Sequence, residues 1–335
     1  MSTQPHLSIL FPCRDAERTV DEALDSLVHQ TYGDFEVVAI NDGSTDSTVS
    51  RLAAWANRDS RIRVIDIEPA GIVTAINTAA ANARGDLLVR MDADDISAPQ
   101  RLEKQVRLLQ AHPNLAACGT QVRYFPRSVV RDGARRYEAW INSVNTPDEI
   151  ERDLFVECPI PHPTLAVRRH AFEEVGGYRE TGWPEDYDLV LRLWRAGWQL
   201  GKVPEVLLDW REGSDRLSRT DPRYSEGAFC ECKVHFLSAR TCNRPVVICG
   251  AGPVGKAFAR ALQNKGHTIA AFVDLDPRKI GQTIHGAPVI KRVGIGAFPD
   301  AYFLAAVASA QARQEIRQYL SDTGLREIEE FCAVA

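Results

Sequence analysis

Leu87 Leu88 Val89 Arg90 Met91 Asp92 Ala93 Asp94 Asp95 is the stretch on which the fold reading turns. An apolar run of strand length ends abruptly in a crowd of carboxylates. Their mutual repulsion calls for a compensating positive charge, and an all-oxygen set suits Mg2+ or Mn2+, ions that commonly complete an octahedron with water and substrate phosphates. The competing explanation is a solvated acidic face that caps a helix after Pro99. Working outward, the same strand-then-helix unit recurs. Leu7 to Phe11 is apolar, and Thr19 with Glu22 forms a capping-box pattern ahead of Val20, Ala23, Leu24, Leu27 and Val28. Phe35 to Ile40 precedes a helix from about Ser47. Ile62 to Ile67 precedes another from about Ile72, which Gly85 terminates. Such alternation implies a parallel sheet covered by helices, and ligands of an open α/β sheet gather outside the carboxyl ends of its strands. The acidic turn at Asp42 and the cluster at Asp92 to Asp95 both fall at such ends.

Bulk properties bound the rest. The 335 residues, 44% hydrophobic and 25% charged, describe a globular chain of two domains. No stretch reaches the roughly 18 uninterrupted apolar residues of a membrane-spanning helix. The amino terminus Met1 Ser2 Thr3 Gln4 Pro5 His6 is no export signal. The expected location is therefore the cytoplasm, with peripheral contact at the inner face of the membrane left open. A formal net charge of −5 argues against nucleic acid as a partner, because no pervasive positive field is available. Arg123, Arg127, Arg131, Arg135 and Arg136 crowd one segment after Ala111, where the pattern loosens as if in an excursion from the sheet. It reads either as a solvated loop or as a contact for an anionic acceptor or lipid headgroup.

The eight cysteines favour reduced thiols. Cys230, Cys232, His235 and Cys242 have zinc-ligand chemistry, but Cys-x-Cys within a helix, here Tyr224 to Arg240, points its thiols to different faces, so a packed helix is expected. A composition break near Thr241 to Pro245 places the domain boundary at 242/243. Beyond it, Val246 to Cys249 runs into Gly250 Ala251 Gly252 Pro253 Val254 Gly255, and Asp274 ends the next apolar strand. Gly250, Gly252, Gly255 and Asp274 have the layout of a dinucleotide-binding turn with its ribose-binding acid. The remaining length suffices for one mononucleotide-binding half, and a nucleotide in this domain is one of the candidate cofactors.

Two further sites carry chemistry. Asn41 Asp42 Gly43 Ser44 Thr45 Asp46 follows a buried-type strand, with Gly43 allowing a sharp turn, Asp46 placed to cap the next helix and Asp42 left free to accept a hydrogen bond. Trp183 Pro184 Glu185 Asp186 opens a helix that Gly197 closes. Carboxylates there answer the helix dipole or serve as a general base at a pocket rim. The Trp183 face suits stacking on a sugar or sealing a core, and His162 sits between Pro161 and Pro163.

From His6 to about Leu237 the chain resembles a family 2 glycosyltransferase of the GT-A fold. The likeness rests on ordered motifs: Pro12 Cys13 Arg14 Asp15 Ala16 Glu17, the Asn41 to Asp46 turn, Gly71 to Asn77, Arg90 to Asp95, His162 Pro163 Thr164, Gly176 Gly177 Tyr178 and Glu185 Asp186 Tyr187 Asp188. The resemblance implies that Pro12 and Asp42 hold the nucleobase, that Asp92 meets the ribose and that Asp94 binds the metal. It also implies Asp186 as base, with Glu185 beside it, for an inverting displacement. Asn77 is a further donor-side candidate, while His162 and Trp183 are candidates on the acceptor side. Two positions depart from the family pattern, which commonly has Asn at Asp15 and an acid at Asn41. A late histidine is not evident in Asp209 Trp210 Arg211 Glu212 Gly213 Ser214, so Arg211 or Arg219 is the candidate for neutralising diphosphate charge.

The carboxy-terminal segment resembles the nucleotide-binding amino-terminal domains of bacterial sugar acyltransferases and related Rossmann-like modules, through Phe272 to Pro277, Ile280 Gly281 and Gly286 to Ile290. The expectation is thus a GT-A domain over 1–242 and a smaller Rossmann-like α/β domain over 243–335, which binds a nucleotide or docks. The expected reaction transfers a hexose from a nucleotide-diphosphate sugar, UDP-linked, to a hydroxyl of a glycan or lipid-linked precursor. Two alternatives are an NAD-linked sugar oxidoreductase centred on the tail, which lacks an evident Tyr-x-x-x-Lys relay, and a non-catalytic nucleotide-sugar sensor.

Overall fold

The computed structural model describes residues 6–213, 216–241 and 243–335. Ser214 and Cys242 lie outside the described residues. The chain divides into two compact units. The first takes the described residues up to Ile150 with Pro159–Thr181 and Glu185–Arg219; the second takes Glu151–Cys158, Gly182–Pro184 and Thr220–Ala335. The helix Glu226–Thr241, which precedes the composition break at 242/243, therefore groups with the second unit.

The first unit is built on eight strands: β1 (Leu7–Cys13), β2 (Phe35–Asp42), β3 (Ile62–Ile67), β4 (Leu87–Arg90), β5 (Ile96–Ser97), β6 (Leu115–Phe125), β7 (Ala166–Arg168) and β8 (Gln199–Arg211). Their order is β3-β2-β1-β4-β7-β6-β8-β5. β1 to β4 pair in parallel, as the alternation with helices Val20–Val28, Thr48–Arg58 and Ile72–Asn82 requires. The chain runs outward from β1 to β3 and then returns to β4 on the other side of β1, which makes the β1/β4 boundary a switch point of the kind where α/β sheets bind ligands. β7 is antiparallel to β4 and β6. Leu7, Ile9, Phe11, Val37, Ala39, Leu87 and Val89 form the core with Ala23, Leu24 and Leu27 of the first helix.

Three local expectations change. The segment after Ala111 leaves the sheet only past Phe125: Leu115–Phe125 is the parallel partner of β8 and carries Arg123, whereas Arg135 and Arg136 lie beyond it on the helix Asp132–Ser143. The strand's run Leu115 to Thr120 is buried on both faces, so the two-residue alternation that flags a strand is missing. The capping box does not form. Thr19 makes no side-chain cap, and Glu22 instead pairs with Arg211. Gly85 does not end its helix with a left-handed turn, since the cap is Ala83 in an extended conformation. A Cβ at Gly85 would lie 2.6 Å from the Leu7 backbone, so glycine there admits the chain against β1.

The second unit carries a six-stranded sheet of β9 (Val246–Cys249), β10 (Ile269–Val273), β11 (Thr283–Ile284), β12 (Ala287–Ile290), β13 (Tyr302–Ala305) and β14 (Phe331–Ala333), in the order β11-β12-β10-β9-β13-β14. All pairs except β11/β12 are parallel. Val247, Ala271, Phe303, Leu320 and Phe331 fill its core. No helix among the described residues is long and apolar enough to cross a membrane.

Candidate active site

Register brings three of the four predicted donor residues to one edge, Asn77 lying instead on the helix Ile72–Asn82. Leu10 stands opposite both Val38 and Arg90, so Pro12, Asp42 and Asp92 emerge together just past the same level of β1, β2 and β4. Asp42 is buried and is not left free. Its carboxylate accepts hydrogen bonds from the backbone N–H groups of Ala70 (2.7 Å) and Gly71 (3.1 Å), and Arg14 Nη1 stands 3.8 Å away. Gly43 turns the chain at φ +61°, where a Cβ would meet Pro69 Cγ at 2.3 Å. The two departures from the family pattern have local explanations. Asn41 donates its amide to Asp66 at 3.0 Å, a bond an acid could not make without repulsion. Asp15 adopts φ +48°, a region that Asn and Asp both tolerate, and accepts from the Thr45 N–H at 2.8 Å. Asp46 does not take the cap position expected of it: Ser47 is the N-cap of the following helix and makes no side-chain cap, while Asp46 accepts from the Thr48 N–H at 2.9 Å in the turn before it.

Past β4, one oxygen from each of Asp92, Asp94 and Asp95 lies within 4.8 Å of the others, the only such group of His, Cys, Asp or Glu among the described residues. Burial first, then the neighbouring Asp92, pushes the Asp94 carboxyl up to about 6, against the charges of Arg216 and Arg211. Asp95 is 1% exposed, and burial, Asp94 and Asp92 raise it well above the carboxylate range. Its Oδ1 accepts the Arg211 N–H at 2.7 Å, while its buried Oδ2 has no hydrogen-bond partner. Arg211 also donates Nε to the Asp94 carbonyl at 2.6 Å and pairs with Glu22, which fixes the loop. Asp92 is bonded to the buried Arg90 guanidinium from β4. A set of crowded carboxylates with an orphaned buried oxygen fits a divalent cation, by both donor chemistry and charge.

Of the two acceptor-side candidates only His162 meets Tyr178, where Glu185 and Asp186 also act. His162 begins a short turn, His162–Thr164, with Nε2 2.8 Å from the Tyr178 hydroxyl and Nδ1 3.9 Å from Glu185 Oε1. Burial, helped by Arg90, pushes His162 down to about 3, so the imidazole is neutral near pH 7. Glu185 is 1% exposed at the start of the helix Glu185–Arg195, whereas Asp186 beside it is only part-buried and accepts the Tyr187 N–H at 2.7 Å. The Tyr178 hydroxyl feels the charges of Arg90, Asp186, Glu185 and Asp92 together, which ties the β4 side to the helix side. Asn77 holds this tyrosine by its backbone, donating to Tyr178 O (2.9 Å) and accepting from Tyr178 N–H (3.1 Å).

Some functional groups were not singled out from sequence. Arg90 carried a signal, a charge inside an apolar strand. Arg216 was hidden in a run of arginines, yet its guanidinium lies 4.4 Å from the Trp210 ring centre and 3.5 Å from Glu212, and its charge acts on Asp94 and Asp95. Arg219, itself exposed, pairs with the same buried Glu212. Trp183 belongs to the second unit, where its ring tilts against His235 at 5.4 Å. In that unit Gly250 adopts φ +122° and a Cβ at Gly255 would lie 1.9 Å from Gly250 O, so the glycine turn is tightly packed; a Cβ at Gly252 meets nothing within 4 Å. Asp274 closes this turn itself, accepting from Ala251 N–H, Asp276 N–H and Lys279 Nζ, each at 2.9 Å. A ribose there would have to compete with those donors.

Comparison with known proteins bears on the family and the fold. The family profile described as Glycosyl transferase family 2 matches residues 8–176. EpsE of Bacillus subtilis (strain 168) is 33% identical over 230 residues, which cover 67% of this chain and 80% of EpsE. Among solved structures, S. aureus TarS 1-349 in complex with UDP-GlcNAc superposes with a TM-score of 0.55 at 17% identity, covering 70% of this chain and 66% of that one. The mannosyltransferase PcManGT of Pyrobaculum calidifontis, in complex with GDP-Man and Mn2+, gives a TM-score of 0.51 at 21% identity, covering 79% and 70%. The first unit therefore has the GT-A fold, and the chain belongs to glycosyl transferase family 2, the enzymes that move a sugar from a nucleotide-sugar donor to an acceptor.

Proposed function

We propose that the chain transfers a hexose from a nucleotide-diphosphate sugar, UDP-linked, to a hydroxyl of a glycan or lipid-linked precursor, with inversion at the anomeric carbon. The observation that carries this reading is the meeting of the Asp92, Asp94 and Asp95 oxygens within 4.8 Å at the end of β4, at the same sheet edge as the buried Asp42 turn at the end of β2, with β1 between them. Asp94, with Asp92, would hold Mn2+ or Mg2+, and such an ion, when bound, supplies positive charge for the departing diphosphate. Pro12 and Asp42 bound the base pocket, Asp92 faces the ribose, and Arg216 offers a fixed guanidinium to the phosphates. Asn77 acts as a positioning residue through Tyr178.

Asp186 takes the proton of the acceptor hydroxyl. The acceptor oxygen forms its bond to the anomeric carbon from the face opposite the diphosphate, and the bond from that carbon to the diphosphate oxygen breaks, with the electron pair leaving on the nucleoside diphosphate. Glu185 is buried, and the His162 imidazole, held down to about 3, has too little affinity for a proton, which favours the part-buried Asp186 as the base. Replacing Asp186 by Asn lowers kcat by about 10²–10⁴ with donor affinity retained, because a base acts in the transition state. Steady-state kinetics with donor calorimetry measures this, and an Asp186→Asn enzyme of normal turnover refutes the assignment.

A further inference from the structure

The second unit takes two short segments from within the amino-terminal part of the sequence, Glu151–Cys158 and Gly182–Pro184. The first leads toward the acceptor-side candidate His162, and the second, which contains Trp183, leads into the catalytic candidates Glu185 and Asp186. Cys158 leads through Pro159 Ile160 Pro161 to His162, and Pro184 is followed directly by Glu185 and Asp186. Both segments are anchored within the second unit by groups that the transferase chemistry does not use. Arg317, on the helix Ala310–Asp322, is 8% exposed; its Nη2 donates to Asp153 Oδ1 at 2.6 Å, and its Nε stands 2.7 Å from Glu327 Oε1. Asp153 is itself 4% exposed. Lys233, on the helix Glu226–Thr241, donates Nζ to Val156 O (2.8 Å) and Val334 O (3.1 Å), bridging the first segment to the end of the chain. Arg240 on the same helix pairs with Glu151 at 3.3 Å and lies over the Phe155 ring at 5.4 Å, while Trp183 of the second segment rests against His235.

Burying charges this deeply is costly unless they are paired, and breaking one partner of such a pair leaves the other uncompensated. We infer that the second unit is a positioning element of the transferase, which fixes the chain leading into His162 and Asp186 through the Arg317–Asp153 pair and the Lys233 bridge. The inference rests on the acceptor-side reading of those residues. It predicts that disturbing the anchors alters turnover and spares the donor site of β1, β2 and β4.

The test uses the full chain. Arg317→Gln lowers kcat by about 10-fold, as expected of a slightly misplaced base, and leaves donor affinity by calorimetry within about twofold. Arg317→Gln combined with Asp153→Asn, which removes one of the two carboxylates left facing position 317 and keeps an amide pair there, restores part of the turnover, as does Arg317→Lys. Unchanged kcat in a folded Arg317→Gln enzyme overturns the inference, as does loss of kcat and donor affinity in equal proportion. Asp186→Asn measured alongside keeps the two readings apart, because its failure to slow turnover removes the base assignment without touching the effect of Arg317. Should the Arg317 variants not fold, hydrogen exchange of the wild-type chain decides. Amides of 151–158 exchanging with those of 226–241 and 310–322 support the anchoring, and exchange in step with β1 and β4 contradicts it.

Discussion

Replacing Asp94 by Asn should stabilise the metal-free protein and destroy its response to metal. Burial and Asp92 raise the Asp94 carboxyl from the ordinary 3.8 to about 6, so the folded chain binds this proton more tightly than the unfolded chain does. Stability from this group is therefore highest below 3.8, falls as pH rises from 3.8 to about 6, and stays reduced above that. The gap corresponds to about 3 kcal/mol at most near pH 7.5, at roughly 1.4 kcal/mol per pH unit. Partial solvent screening reduces the realised value. Asparagine keeps the shape without the charge, and each kcal/mol moves the melting temperature by about 2–4 °C in a domain of this size. In EDTA at pH 7.5 the Asp94→Asn protein melts several degrees above wild type, and the difference roughly halves by pH 5. Adding Mn2+ reverses the order, since wild type gains the binding free energy and the variant does not. Differential scanning fluorimetry across pH, with and without metal, reads both effects. A variant that melts below wild type in EDTA at pH 7.5, or gains as much from Mn2+ as wild type, refutes the reasoning.

Asn77→Ala removes both hydrogen bonds to the Tyr178 backbone. It lowers kcat and costs about 1–3 kcal/mol of stability in chemical denaturation, while donor affinity by calorimetry is unchanged; weakened donor binding with normal kcat points to direct nucleotide contact instead. Arg216→Ala weakens donor binding by about 10-fold, the value of one charge-assisted hydrogen bond. Arg216→Lys fails to restore it, because the guanidinium is stacked on Trp210 and an ammonium cannot take that geometry.

The sequence made the site legible where composition and position coincide. Acids after apolar strands announced Asp42 and Asp92 to Asp95, because the strand period and the switch-point rule fix where such residues emerge. It was silent wherever a role depends on a distant partner. Asp42 read as free because nothing local shows that Ala70 and Gly71 turn their N–H groups toward it. Asp95 read as either a metal ligand or a helix start, and only the fold brings the Arg211 backbone to it across 116 residues. Gly85 looked like a helix stop because a close approach to Leu7 leaves no local trace. Leu115–Phe125 was missed because burial on both faces erases alternation. The boundary at 242/243 followed composition, whereas packing gathers Glu151–Cys158 and Gly182–Pro184 into the second unit through Arg317, Lys233 and His235.

The most direct test of metal-dependent sugar transfer at the β4 carboxylates is nucleoside-diphosphate release from a panel of UDP-, GDP- and other nucleotide sugars. It compares wild type with Asp94→Ala in EDTA, Mg2+ and Mn2+, with candidate acceptors present. The account predicts release from at least one donor, with UDP-linked sugars the expected class, that depends on metal and acceptor and is abolished in Asp94→Ala. Release that persists in EDTA, or that survives the loss of Asp94, contradicts it.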